Sequence, residues 1–252
     1  MGHPPAEFWG IFLELSVVIP LYNEVENLRP LHQALRDVLD TLDKTYEMLL
    51  VDDGSTDGSA RLVSELAAED ERVRALFVDP HSGQTAALAA GFAAARGEIV
   101  VTMDADLQND PADIPRLLKH LDGYDVVCGI RQKRHDTWIR RISSKIANGV
   151  RNWATGDDIV DTGCSLKAYR RSFLQRVKLF DGMHRFLPTL LKLEGARVVQ
   201  IPVNHRPRVC GQSKYNVWNR VFRATTDLLA VRWMQKRYLR YRVKEDQNDR
   251  RG

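Results

Sequence analysis

The 252-residue chain reads as an α/β protein with a mostly parallel central sheet flanked by helices. Two observations carry that reading. Short β-branched or aliphatic runs alternate with helix-period stretches, and the runs end in turn-forming polar residues. Ser16–Pro20 (SVVIP) is the first strand. Asn27–Leu42 follows as a helix, because Leu28, Leu31, Leu35, Val38, Leu39 and Leu42 fall on one stripe. Met48–Val51 (MLLV) is again strand-like. Ser59–Ala68 and Thr85–Ala95 have helical spacing, the second so rich in Ala that close packing is expected. Ile99–Met103 (IVVTM) and Val126–Cys128 return to the strand type. Buried strands separated by helices pair in parallel through right-handed crossovers. Far along the chain, from Val217 to Tyr241, Val217, Trp218, Val221, Phe222, Leu228, Leu229, Trp233 and Met234 recur at helical spacing. Arg220, Arg223, Arg232, Lys236, Arg237 and Arg240 intersperse them, so this is an amphipathic C-terminal helix.

Composition narrows the classes. With 44% hydrophobic and 28% charged residues the chain is ordinary globular material. Its net charge of +4 hides a split. Residues 1–130 hold 9 basic and 23 acidic side chains (net −14), and residues 131–252 hold 28 and 10 (net +18). Such asymmetry points to partners of different sign. No apolar run approaches the roughly 20 residues that span a bilayer. No basic region precedes an apolar stretch at the start, so a secretory signal is not expected. Cys128, Cys164 and Cys210 have neither zinc nor disulfide-framework spacing, and are expected as reduced thiols in a cytosolic protein. A dinucleotide G-x-G-x-x-G is missing after the first strand, and no P-loop occurs. Nucleic acid is not expected as a partner either: no helix-turn-helix, zinc-finger or RNP signature is present, and acidic loops repel phosphate.

In parallel sheets ligands bind beyond the carboxyl ends of the strands. There this chain is unusually polar. The first strand runs into Tyr22-Asn23-Glu24, the second into Asp52-Asp53-Gly54-Ser55-Thr56-Asp57-Gly58, and the strand at 99–103 into Asp104-Ala105-Asp106-Leu107-Gln108. The 52–58 loop reads equally as a helix N-cap and as a ligand loop, although two adjacent carboxylates exceed what one cap needs. Asp104 and Asp106, two apart on extended backbone, point the same way. Such a pair repels itself unless a cation or proton intervenes. A hard divalent ion, Mg2+ or Mn2+, is the natural occupant, with Gln108 offering a neutral oxygen. The bland alternative is a solvated Asp-rich turn.

Taken together, VVIPLYNE at 17–24, VDDGSTDGS at 51–59, GQTAALAAGFAAARGE at 83–98 and MDADLQNDP at 103–111 resemble family 2 glycosyltransferases of the GT-A fold. Within that family the likeness is to dolichol-phosphate mannose synthases and bacterial polyprenyl-phosphate relatives. DTGCSLKAYRR at 161–171 and RVCGQSKYN at 208–216 extend it, over roughly residues 15–216. Cys164, Ser165 and Lys167 stand where this subgroup often has Ser-Phe-Arg. The resemblance implies a 1–15 extension, a 16–216 catalytic domain and a 217–252 helix and charged tail. It implies that Pro20, Tyr22, Glu24, Val51, Asp52, Asp53, Asp104 and Ala105 bind the nucleotide sugar, and that Asp106 and Gln108 hold the metal. Arg131, Arg208 and Lys214 would act with Asp106 in catalysis, contacting the donor's charged end or the acceptor, and Arg140 and Ser144 would grip an acceptor phosphate.

The implied reaction is inverting, metal-dependent transfer of a hexose from GDP-mannose or a UDP-hexose to a polyprenyl phosphate. The alternative acceptor is a glycan or polysaccharide hydroxyl. The acceptor decides what chemistry is needed. A hydroxyl requires a positioned base, whereas an ionised lipid phosphate requires only placement beside cations. Asp161 reads either as that base or as a turn residue before Thr-Gly. The lipid reading expects a peripheral protein on the cytoplasmic face, held on anionic lipid by the 217–241 helix or by a membrane-protein partner. In the alternative reading that helix packs on the domain with a solvated basic face. A catalytically silent subunit is the non-enzyme option, disfavoured by intact Asp104, Asp106 and Gln108.

Overall fold

The computed structural model describes residues 13–132, 155–207 and 217–239, with residues 149 and 152. Among these, a seven-stranded sheet runs in the order β3-β2-β1-β4-β6-β5-β7. Its strands are β1 Leu15–Leu21, β2 Tyr46–Asp52, β3 Val73–Phe77, β4 Ile99–Thr102, β5 Val126–Arg131, β6 Lys167–Arg170 and β7 Val198–Val203. All neighbours pair in parallel except β6, which is antiparallel to both β4 and β5. Helices α1 (Val25–Leu39), α2 (Ser59–Glu69), α3 (Gln84–Ala94) and α4 (Ile114–His120) cover the sheet. Short helices α5 (Arg171–Leu174) and α6 (Leu187–Leu193) precede the 21-residue α7, Val217–Arg237.

The α/β expectation holds, with differences. The first helix begins at Val25, two residues before the expected Asn27, and stops at Leu39, the strand at 99 ends at Thr102, and the strand at 126 continues to Arg131. Three strands had no sequence counterpart. β3 is a half-exposed edge, β7 is the other edge and carries Gln200 and Pro202, and β6 is four residues flanked by charges. None presents a run of buried aliphatics.

Both faces of β1 are buried, one under α1 and α2 and the other under α3. Gly91 lets α3 approach β1 closely: a Cβ there would meet Val18 Cγ1 at 2.3 Å. The chain builds outward from β1 to β2 and β3, then returns to lay β4 on the other side of β1. Loops leaving β1 and β4 therefore diverge, which opens a crevice at the carboxyl ends of the strands. β6 runs backwards because the segment from β5 returns at that same end. Residues 161–167 are thereby delivered to the crevice, with Lys167 in register with Thr102.

One side of α7 packs on the domain. Val231 is fully buried in a cluster with Met183, Phe186 and Leu190, and Gln235 Nε2 donates to Thr155 O at 2.8 Å. Leu229 and Trp233, one turn apart on the other side, are 63% and 64% exposed. Among the described residues no helix is long and apolar enough to cross a membrane.

Candidate active site

The loops after β1 and β2 are knitted into one wall. Asn23, in the left-handed region at φ 56°, accepts from Thr56 N at 2.7 Å, and its own N–H donates to Ser55 Oγ at 2.8 Å. Glu24 N donates to Ser59 Oγ at 2.9 Å, and Asp57 accepts from Val25 N at 3.2 Å and Ser59 N at 2.9 Å. The capping reading of 52–58 is thus correct for Asp57, which serves the starts of two helices at once. Asp53 is engaged by a third segment. Its carboxylate accepts from Ser82 N at 2.9 Å and Gly83 N at 2.8 Å, and His81 Nδ1 lies 2.8 Å from the Asp53 backbone carbonyl and 2.9 Å from the carboxylate. His81 also stacks on Tyr22, ring centroids 4.2 Å apart. Asp52 differs: Oδ2 accepts from Ser55 N at 3.1 Å, while Oδ1 is buried without a partner. A buried orphan oxygen is costly unless a ligand donates to it. Pro20 and Val51 pair across β1 and β2 behind this wall, and Glu24 accepts from Asn27 Nδ2 at 2.6 Å.

The aspartate pair lies past the strand, not on it. β4 ends at Thr102, residues 105–107 bend, and Leu107 takes φ 60°. Extended backbone therefore does not align the two carboxylates. The bend itself is pinned by two hydrogen bonds: Gln108 N donates to Asp106 Oδ1 at 3.2 Å, and Asn109 Oδ1 accepts from Asp104 N at 3.1 Å. Burial, and then the charge of Asp106, push the Asp104 carboxyl up to about 6. Ala105 is buried between them. Among the described residues no group of three or more His, Cys, Asp or Glu forms a metal cage. Two mutually repelling carboxylates and an amide nevertheless fit a cation whose other ligands are phosphate oxygens.

Asp104 also lines a cavity of about 160 Å³, together with Pro20, Gln84, Gly163, Lys167 and His184. Gln84, the first residue of α3, donates to Asp104 Oδ1 at 2.9 Å. Arg131, at the end of β5, is gripped by Asp161 through Nε and a terminal nitrogen, both at 2.8 Å. This bidentate pair occupies both Asp161 oxygens, as the turn reading of that residue requires. Gly163 crosses the guanidinium so closely that a Cβ would lie 2.8 Å from it. His184 joins from a 3-10 turn after α5, its Nδ1 2.6 Å from Thr85 Oγ1. Burial, with Arg185 and Lys167 nearby, pulls that imidazole down to about 3, so it stays neutral at physiological pH. His81, His184 and Arg185 lay outside every sequence expectation, because each comes from a loop without periodicity. Arg140, Ser144, Arg208 and Lys214 lie outside the described residues.

The family model "Glycosyl transferase family 2" matches residues 16–178. The chain belongs to that family. This glycosyltransferase also shares its GT-A fold with crystal structures of glucosyl-3-phosphoglycerate synthase from Mycobacterium tuberculosis. One, in complex with Mn2+, UDP and phosphoglyceric acid, has a TM-score of 0.65 at 19% identity, covering 90% of this chain and 80% of that one. A second, with Mn2+, UDP-glucose and glycerol 3-phosphate, has a TM-score of 0.62 at 19% identity over 93% and 86%. A third, with Mg2+ and UDP, has 0.61 at 18% identity over 88% and 79%. In this family 2 glycosyltransferase the D-x-D bend, the paired β1 and β2 loops and the 161–167 segment thus meet at one end of the sheet.

Proposed function

We propose that the chain transfers a hexose from a nucleotide sugar, with Mg2+ or Mn2+, directly and with inversion onto an acceptor hydroxyl, whose proton passes to a carboxylate of the site, for which Asp104 lining the cavity is placed. The observation that carries this is the shared wall: Asp104 lines the cavity while Asp106 lies close enough for its charge to raise Asp104. Asp106 and Gln108 would hold the cation, which on binding offsets the charge that develops on the leaving diphosphate. The β1 and β2 loops would receive the nucleoside, with Asp52 Oδ1 free to accept a donor from base or ribose. Gln84, by holding Asp104, and the Asp161–Arg131 pair would fix the floor on which the sugar lies. A hydroxyl acceptor, rather than a lipid phosphate, is supported by the similar solved structures, whose complexes contain phosphoglyceric acid or glycerol 3-phosphate.

A second reading, a polyprenyl-phosphate acceptor, draws on one observation: Leu229 and Trp233 are exposed on α7 beside Lys236 and Arg237. One experiment addresses both. Radiolabelled nucleotide sugars are incubated with small phosphorylated or glycan acceptors and with polyprenyl phosphate, and products are partitioned between water and butanol. Label in the water-soluble product supports the hydroxyl reading, and label in butanol the lipid reading. Turnover is expected to vanish in Asp106→Ala. Full activity in excess EDTA would sink the metal-dependent mechanism.

A further inference from the structure

Lys167 has no role in the chemistry above. It opens β6, is only 4% exposed, and faces the cavity that Asp104 lines. No hydrogen bond or ion pair reaches its ammonium. Other buried charges around the crevice are held by direct partners: Asp161 by Arg131, and Asp53 by the Ser82 and Gly83 N–H groups. A buried ammonium with no direct ion pair or hydrogen bond is costly, and an anion arriving beside it offsets that cost. The surroundings suit an anion. Arg185 lines the same cavity, and His184 is fixed by Thr85 as a neutral polar wall. Asp104, the only carboxylate among the described lining residues, is held by Gln84 and feels the charge of Lys167 without forming a direct ion pair with it.

We propose that Lys167 and Arg185 form a subsite for a carboxylate or phosphate group carried by the acceptor. The proposal rests on the hydroxyl-acceptor reading. An anion seated at Lys167 leaves the acceptor's hydroxyl to approach the donor sugar from the β6 side, beside Asp104. Lysine suits this task because it presents one compact charge with three rotatable donors and no fixed fork, so it accepts either anion.

The test uses the full chain and four probes. Binding of UDP with Mn2+, 3-phosphoglycerate, glycerol 3-phosphate and inorganic phosphate is measured by calorimetry for wild type, Lys167→Met, Lys167→Arg and Arg185→Gln. Lys167→Met is expected to weaken the best-bound phosphate-bearing probe at least tenfold and leave UDP within twofold. Lys167→Arg should recover most of that loss, which a folding defect would not allow. Binding of every anion by Lys167→Met as tightly as by wild type overturns the subsite, as does a wild type that binds none of them. A further arm compares UDP-glucuronate with UDP-glucose. Selective loss of UDP-glucuronate in Lys167→Met would assign the subsite to the donor sugar and overturn the acceptor assignment. Failure of UDP to bind, with anion binding still dependent on Lys167, would remove the proposed function and leave the subsite standing.

Discussion

His184 shows how one buried ring constrains the site. Its imidazole lies between Thr85 and the cations Lys167 and Arg185, and burial with those charges favours the neutral form. A histidine ordinarily titrates near 6.5. With its folded value depressed to about 3, the ring contributes stability that is complete above pH 6.5 and is lost as pH falls from there toward 3. The side-chain 13Cε1 resonance of His184 should therefore stay at its neutral position from pH 8 to 5. A titration midpoint between 6 and 7 would refute this environment. The 161–163 segment is equally specific. Arg131 occupies both oxygens of Asp161, and Gly163 has no room for a Cβ beside the guanidinium. Its motif residues serve geometry before they serve chemistry.

Helix α3 is the element that ties the core to the site. Its Ala-rich face and Gly91 sit against Val18 and Val51, while its first residues, Gln84 and Thr85, hold Asp104 and His184. Gly91→Ala should gain about 1 kcal/mol in helix propensity. The added methyl would clash with Val18 at 2.3 Å, however, and overpacking of that kind costs about 1–3 kcal/mol. A net loss in denaturant midpoint is expected, with weaker nucleotide binding as α3 lifts Gln84 away. An unchanged midpoint would mean that the helix relaxes freely, contrary to the contact. At the other end of the sheet Glu47 plays the matching structural part. It is buried and accepts from Ser16, Arg74 and Arg96 N at 2.6, 2.6 and 2.8 Å.

Across the whole molecule the charge split acquires a location. The acidic first half supplies the β1, β2 and β4 loops, and the basic second half supplies Lys167 and Arg185 to the cavity and, separately, the basic helix α7. α7 is apolar on two sides, with Val231 buried and Leu229 and Trp233 exposed. Basic residues near an anionic surface contribute about 1 kcal/mol each. If the exposed side engages lipid, wild type should float with anionic liposomes and Leu229→Ser/Trp233→Ser should not, with thermal stability unchanged because Val231 is untouched. Equal flotation of the two proteins, or of neither, would assign α7 to packing alone.

Much of this was legible in the linear chain. Buried strands such as SVVIP and MLLV announce themselves because both faces are covered, and the 3.6-residue stripe at 28–42 reflects one helix face against one sheet. The aspartate pair and the paired loops were legible as chemistry, since carboxylates gathered at strand ends need a reason. Edge strands β3 and β7 were not, because half-exposed strands carry mixed residues, and neither was the backward run of β6, which depends on where a distant segment returns. The composition and local periodicity of the chain specify the inner strands β1, β2, β4 and β5, the main helices and the polar loops that follow the strands, because those signals act between near neighbours. What sits opposite them — Lys167 without a partner, His184 kept neutral, Asp161 occupied by Arg131 — was set by long-range packing, where burial and the nearest charge override what residue type and spacing convey.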